Sequence, residues 1–441
     1  MVSSFVKQII RCYDTGKEWL RIVINQIVAK TARKQFALAL NFKEGLAPEL
    51  PACSDKKERL LYLHIPFCEE LCPYCSFHRI RLDETLGRDY HAALRREMAL
   101  YREKGYRFSG IYVGGGTPTV LIDEMAETLR IARELFPIQS ISLETNPNHL
   151  VDANIKILRQ AGVNRLSVGV QTFNDELLKK IVRYDKYGSG EEIAGRLKET
   201  IGKFDTLNAD MIFNFPAQTP EMLEADLAVL LKLQMPQITF YPLMISTLTQ
   251  RLMSETLGEV DFRKEKAFFQ LILRRLEKDY DSSSAWCFSR KKAEKSLIDE
   301  YVVDFDEYAG LGSGAIGYVD GVCYANSFDI ERYISDLAQN RLPLQAARHF
   351  DAPDRMRYDF LMKFFSTRLN VSELEKKYDG KFMKTLWKEM VAFTLAGSFR
   401  YFTPNLYLTP WGRYYWVIMM REFFIAVNNF RDFCRKEAGL V

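Results

Sequence analysis

Between residues 60 and 241, short runs rich in β-branched and aromatic side chains alternate with amphipathic helical patterns, and this rhythm constrains the fold more than any other feature. The strand-like runs fall at residues 60–65, 110–113, 140–144, 165–170, 209–213 and 237–241. Helical patterns lie between them at 89–104, 123–135, 153–161, 190–204 and 221–233. Mostly apolar strands separated by helices predict a parallel sheet covered by helices, and six such units predict a partial barrel. Polar residues at the C-terminal ends of those strands then become the candidates for chemistry. After Tyr241 the rhythm is lost. The chain of 441 residues also exceeds the ceiling of about 250–300 residues for one hydrophobic core. The expected division is a basic amphipathic extension (1–55), the β/α core (56–245), a barrel-completing segment (246–350) and a smaller, mainly helical, winged-helix-like domain (351–441). In that last part, residues 370–384 read as helix and 406–408 as a short strand before another helix.

Composition excludes several classes. Apolar residues make up 47% of the chain, yet no apolar run approaches the ~20 residues that span a bilayer. Lys7 and Arg11 interrupt the N-terminal apolar residues and no small-residue cleavage pattern follows, so the chain reads as cytoplasmic rather than secreted. A net charge of +4 is too small to argue for a nucleic-acid partner. Eight cysteines are too few for a disulfide scaffold, and three of them crowd into one short stretch. The other five, Cys12, Cys53, Cys287, Cys323 and Cys434, are dispersed and read as incidental or buried thiols.

The crowded stretch is Cys68-Glu69-Glu70-Leu71-Cys72-Pro73-Tyr74-Cys75, directly after the first strand. Three thiolates at C-x3-C-x2-C spacing can hold three corners of a [4Fe–4S] cluster and leave one iron open. Zinc would ordinarily take four ligands in paired short spacings, and His64 and His78 fall at no such spacing. Three buried thiols without metal is the blander alternative, at odds with the glutamates and prolines of the loop. A second motif, Tyr112-Val113-Gly114-Gly115-Gly116-Thr117-Pro118-Thr119, ends the next strand. Glycines there let the backbone approach a ligand closely. A nucleotide phosphate cradle is the competing reading, but neither a following Lys-Ser/Thr nor G-x-G-x-x-G is present. Glu144, Gln171 and Asp210 sit at or near later strand ends, and Glu144 could accept a hydrogen bond from a ligand ammonium or ribose.

The segment from Leu61 to Phe77 resembles the cluster loop of radical S-adenosylmethionine (SAM) enzymes related to the oxygen-independent coproporphyrinogen III dehydrogenase. The resemblance extends from about residue 60 to 318. It implies a partial (β/α)6 radical SAM barrel of the α/β class with a smaller, mainly helical C-terminal domain. It also implies that Cys68, Cys72 and Cys75 ligate the cluster, that SAM chelates the open iron, and that reductive cleavage yields a 5′-deoxyadenosyl radical. By the same resemblance, Tyr62 lies near cluster and sulfonium, and Phe77 contacts adenine. Gly114, Gly115, Gly116 and Thr117 meet the methionine ammonium group, while Glu144, Gln171 and Asp210 make further SAM contacts. Arg183 resembles the arginine that meets the SAM carboxylate, although its neighbours depart from the family pattern. The segment Gly310-Leu311-Gly312-Ser313-Gly314-Ala315-Ile316-Gly317 resembles one that lines a second SAM site, which would enlist Gly312, Gly314 and Ile316 and bring the SAM count to two.

Two departures shape the expected reaction. Phe77 stands where porphyrinogen-oxidising relatives carry a further cysteine, and residues 297–302 lack the His-Asn-x-x-Tyr-Trp stretch of haem chaperones. The expectation is therefore radical methyl or methylene transfer, as in the two-SAM class C methyltransferases, with an unidentified substrate. Tetrapyrrole chemistry (coproporphyrinogen III dehydrogenation or anaerobic haem ring opening) and non-catalytic haem delivery are the alternatives. A reduced flavodoxin or ferredoxin-type protein is the implied electron donor.

The flanks add one hint. Residues 1–40 carry seven Lys/Arg against two acidic residues, a balance of +5, and Trp19, Leu20, Val23, Ile24, Ile27 and Val28 recur near helical spacing. Such a helix lies on an anionic membrane surface or docks on its own protein. The apolar runs 414–420 and 423–427 admit the same two readings.

Overall fold

The structure, a computed structural model, describes residues 27–36, 50, 52–53, 57–291, 304–402 and 404–439. Six strands, β1 (Arg59–Ile65), β2 (Phe108–Gly115), β3 (Ser140–Thr145), β4 (Arg165–Gln171), β5 (Thr206–Phe213) and β6 (Gln237–Pro242), lie side by side in chain order. Each pairs with the next in parallel. All seven residues of β1 are buried, as expected where helices cover both faces of a sheet. The main crossovers are α1 (Glu84–Glu103), α2 (Ile122–Leu135), α3 (Asp152–Gln160), α4 (Gly190–Thr200) and α5 (Pro220–Leu233). Local chemistry sets their ends. Asp83 accepts from Leu86 N and starts α1 five residues before the periodicity indicates. A reciprocal Ser189–Glu192 capping box opens α4, and Thr219 followed by Pro220 opens α5.

Six further strands complete the sheet: β7 (Tyr280–Ser282), β8 (Cys287–Arg290), β9 (Tyr308–Leu311), β10 (Ile316–Val319), β11 (Val322–Asn326) and β12 (Leu344–His349). The order is β12-β11-β10-β9-β1-β2-β3-β4-β5-β6-β8-β7. β9 runs parallel to β1, so it is a seventh parallel strand that the rhythm did not show. Four residues are too few to display a period. The late glycine segment therefore emerges beside the strand that feeds the cysteine loop. A buried carboxylate anchors it: Glu97 of α1 accepts from Gly312 N at 2.8 Å, Asn326 Nδ2 at 2.8 Å and Tyr333 Oη at 2.6 Å.

A second compact unit comprises residues 27–36, Ser282–Trp286 and Phe350–Val427 among those described. Its helices include Ala352–Phe364, Val371–Lys377 and Trp387–Leu395, with three strands, β13 (Arg368–Asn370), β14 (Phe399–Phe402) and β15 (Asn405–Leu408). β15 contains the short strand expected at 406–408. The helix expected over 370–384 is instead broken, because Asp379 and Gly380 adopt φ of 52° and 73°. Trp416 centres this unit's core, its ring against Phe360, Phe364 and Phe393 and its Nε1 donating to Leu361 O at 3.0 Å. The run 414–420 is buried there. Residues 27–36 dock on the same unit through Arg33 to Glu422 at 2.7 Å and Phe36 edge-on to Phe423. Trp19, Leu20, Val23 and Ile24 lie outside the described residues, as do 297–302. No described helix is long and apolar enough to cross a membrane.

Candidate active site

The cysteine loop is closed at its base and stapled across its middle. Phe67–Cys68 pairs in parallel with Ile80–Arg81, and Leu82 N donates to Cys68 O at 2.9 Å. Inside the loop, Arg79 Nη2 donates to the carbonyls of both Cys72 and Cys75. Glu69 pins the outer side, accepting from Lys186 Nζ at 2.7 Å, Asn148 Nδ2 at 2.9 Å and His149 Nε2 at 3.1 Å. The His149 bond, followed by those of Lys186 and Asn148, holds the Glu69 carboxyl down at about 2 against the opposing effect of burial.

The glycine loop zips onto the cysteine loop by backbone bonds, Gly116 N to Ile65 O and Thr117 N to Phe67 O, each 2.7 Å. A β-carbon at Gly116 would stand 2.5 Å from Phe67 O and 3.0 Å from Cys68 Sγ, so only glycine permits this approach. Gly115 takes φ of 112° with the His64 ring against it. Gly114 faces Glu144, whose carboxylate also accepts from Tyr112 Oη at 2.8 Å.

Polar side chains join these loops to the ends of β3 and β4. Thr117 Oγ1 donates to Cys68 Sγ at 3.7 Å, and Asn146 Nδ2 donates to Thr117 Oγ1 at 2.7 Å. Arg183 Nη2 donates to Asn146 Oδ1 at 2.9 Å and Gly169 O at 2.5 Å, while its Nη1 reaches Cys72 Sγ at 3.6 Å. Gln171 stands beside Gly169 in the left-handed region, φ 72°, a sparsely populated conformation for a residue with a side chain.

Tyr62 and the second glycine segment meet through two histidines. Burial pushes the His64 imidazole down to about 4, so it is neutral. Its Nε2 faces His78 O at 2.8 Å and must donate there, which leaves Nδ1 to accept from Tyr62 Oη at 2.8 Å. Burial, and then Glu144, raise the Tyr62 phenol above its ordinary value, keeping it protonated as that bond requires. His78 contacts Ser313 Oγ at 3.2 Å, and a β-carbon at Gly314, φ 72°, would strike the His78 ring. The amides of Gly312, Ser313 and Gly314 bond Glu97, Tyr90 and Ser327 O.

The expected site residues are thus not equally joined. Cys68, Thr117, Arg183 and Cys72 are joined by hydrogen bonds through Asn146, Gly116 packs close to Cys68, and Glu144 faces Gly114 beside Tyr112. Asp210 is engaged by Ser167 at 2.6 Å and Asn208 at 2.7 Å on β4 and β5. Phe77 is 42% exposed, with the Arg431 guanidinium 4.7 Å over its ring. Ile316 is partly exposed on β10. Asn146, Arg79 and Glu69, which the sequence did not single out, hold the site together with His64 and His78, which it weighed only as zinc ligands. Asn146, next to a proline at a strand end, offered the one local signal.

The three cysteines suit an iron–sulfur cluster. All are free thiols, and Cys68 and Cys72 are buried. Burial, followed by the nearness of Cys75, pushes the Cys68 thiol up to about 12, so an ionised sulfur here needs facing positive charge, which iron supplies. Among the described residues no three His, Cys, Asp or Glu side chains close around a single ion. A cubane's ligands stand on separate corners and need no such convergence.

Comparison with known proteins agrees. A family model, the radical SAM superfamily, matches residues 62–230. The heme chaperone HemW of Lactococcus lactis is 32% identical over 287 residues, covering 63% of this chain and 74% of that protein. HemW of Bacillus subtilis is 29% identical over 339 residues, covering 74% and 87%. The solved structure of coproporphyrinogen III oxidase (HemN) from Escherichia coli shares the fold at a TM-score of 0.70 and 23% identity, over 88% of this chain and 93% of that one. The chain belongs to the radical SAM superfamily, in the family of the oxygen-independent coproporphyrinogen III oxidases, HemW and anaerobilin synthase. Membership implies a [4Fe–4S] cluster and SAM.

Proposed function

We propose that this chain is a radical SAM protein of tetrapyrrole chemistry, carrying a [4Fe–4S] cluster on Cys68, Cys72 and Cys75. The observation that carries the cluster assignment is the junction of the two loops, where the Gly116 amide bonds Ile65 O and a β-carbon at Gly116 would stand 3.0 Å from Cys68 Sγ. When bound, the cluster supplies one electron that cleaves the sulfur–C5′ bond of SAM. The chain's own residues bind, orient and shield. Gly114 and Glu144 form an acceptor edge for the methionine ammonium group, Gln171 and Asp210 offer polar contacts, and Phe77 offers an aromatic face for adenine. Tyr62, with its proton committed to His64, is a neutral wall near the cluster.

Support for a tetrapyrrole ligand comes from the relatives, named for heme delivery, coproporphyrinogen III oxidation and anaerobilin synthesis. The methyl-transfer reading drew on Phe77 in place of a further cysteine, on the missing haem-chaperone stretch and on a second SAM at the late glycine segment. Those glycine amides are engaged inside the protein, which favours a packing role for Gly312 and Gly314. The discriminating experiment gives the anaerobically reconstituted, reduced protein SAM together with coproporphyrinogen III or haem. The proposal expects tetrapyrrole binding by absorbance titration and 5′-deoxyadenosine without S-adenosylhomocysteine. Formation of S-adenosylhomocysteine, with no tetrapyrrole bound, would replace it by carbon transfer.

A further inference from the structure

We infer that Thr117, Asn146 and Arg183 form a hydrogen-bonded clasp on two of the three cysteine sulfurs that raises the reduction potential of the cluster. The inference rests on the reading that these cysteines hold a [4Fe–4S] cluster. The clasp is a continuous path: Cys68 Sγ takes the Thr117 hydroxyl, Thr117 takes Asn146 Nδ2, Asn146 Oδ1 takes Arg183, and Arg183 reaches Cys72 Sγ. Every member is buried. The path joins the first βα loop to the second and third strand ends and to the turn after the helix Asp175–Lys180, where Arg183 is tied to the fourth strand through Gly169 O.

The chemistry is one-sided. One electron entering from a flavodoxin- or ferredoxin-type donor increases the negative charge shared by iron and sulfur. Donors already pointed at two ligand sulfurs stabilise that reduced state more than the oxidised one. Burial strengthens the effect by excluding water. Arg183 thereby acts as a positioning residue toward the cluster, in addition to any contact with the SAM carboxylate. Asn146 acts through its neighbours, since it touches neither sulfur.

The test is an EPR-monitored redox titration of the reconstituted protein without SAM, which removes any role of these residues in SAM binding. Thr117→Val deletes the donor at nearly constant volume, and Thr117→Ser keeps it. We expect the Val variant's reduction equilibrium to fall roughly tenfold, about 59 mV for a one-electron couple, with the Ser variant near wild type. Equal potentials in all three overturn the inference. Should the Val variant retain no cluster, Arg183→Met, which removes the donor and the charge, is titrated instead, and an unshifted potential there overturns it equally. A wild-type protein that assembles no cluster would instead refute the underlying cluster reading.

Discussion

Glu97 and Gly312, 215 residues apart, meet where the buried carboxylate of α1 accepts the glycine amide at 2.8 Å. Burial pushes that carboxyl up to about 7, with the bonds from Tyr333, Gly312 and Asn326 pulling the other way. Between the ordinary glutamate value of 4.5 and about 7, the folded chain therefore keeps a proton that the unfolded chain has lost. Its contribution to stability is full below that window and falls as pH rises through it. Asp226, raised to about 7 by burial, acts with the same sign. Glu97→Gln, whose amide can pair with a reoriented Asn326, should flatten part of this decline. Urea unfolding at pH 5, 6, 7 and 8 checks it; an unchanged slope would refute the assignment.

The Glu69 clamp fixes the chain between Cys68 and Cys72 from outside. Glu69→Gln should leave the melting temperature within a few degrees while weakening cluster retention about tenfold, the usual scale for a partner that orients metal ligands. Iron and sulfide content after gel filtration measures this. Full retention would show that the loop holds its shape without the clamp.

Gly116→Ala places a methyl group against backbone on one side and a ligand sulfur on the other. The expected cost is about 1–3 kcal/mol of stability, together with loss of the iron–sulfur absorbance. Thermal melting of the apoprotein and absorbance after reconstitution report the two effects separately. A variant with wild-type values in both would contradict the packing described.

Phe77→Ala should raise the KM for SAM several-fold, consistent with about 1 kcal/mol for an aromatic contact, and should leave stability nearly unchanged because the ring is substantially exposed. Steady-state kinetics at varied SAM decide it. An unaltered KM would assign Phe77 to the Arg431 contact instead.

The barrel was legible because each of its six strands is long enough to show apolar patterning and each of the first five is followed by a periodic helix. The cysteine and glycine loops were legible because cluster ligation and close backbone approach demand particular residues at fixed local spacing. β9 was not, since Tyr308–Leu311 is too short and derives its place from pairing with β1. Nor was the polar scaffold: Asn146 and Arg183 are 37 residues apart, and Glu69 and His149 are 80 apart, so the hydrogen bonds exist only after the strand ends converge. The helix expected over 370–384 failed for a local reason, the left-handed Asp379-Gly380 pair.

The most direct test of the central claim is SAM cleavage by the anaerobically reconstituted protein under a strong reductant, compared with Cys68→Ala, Cys72→Ala and Cys75→Ala. The account predicts 5′-deoxyadenosine from the wild type and its loss in each variant along with the iron–sulfur absorbance. Full cleavage by any one of the three variants would contradict it.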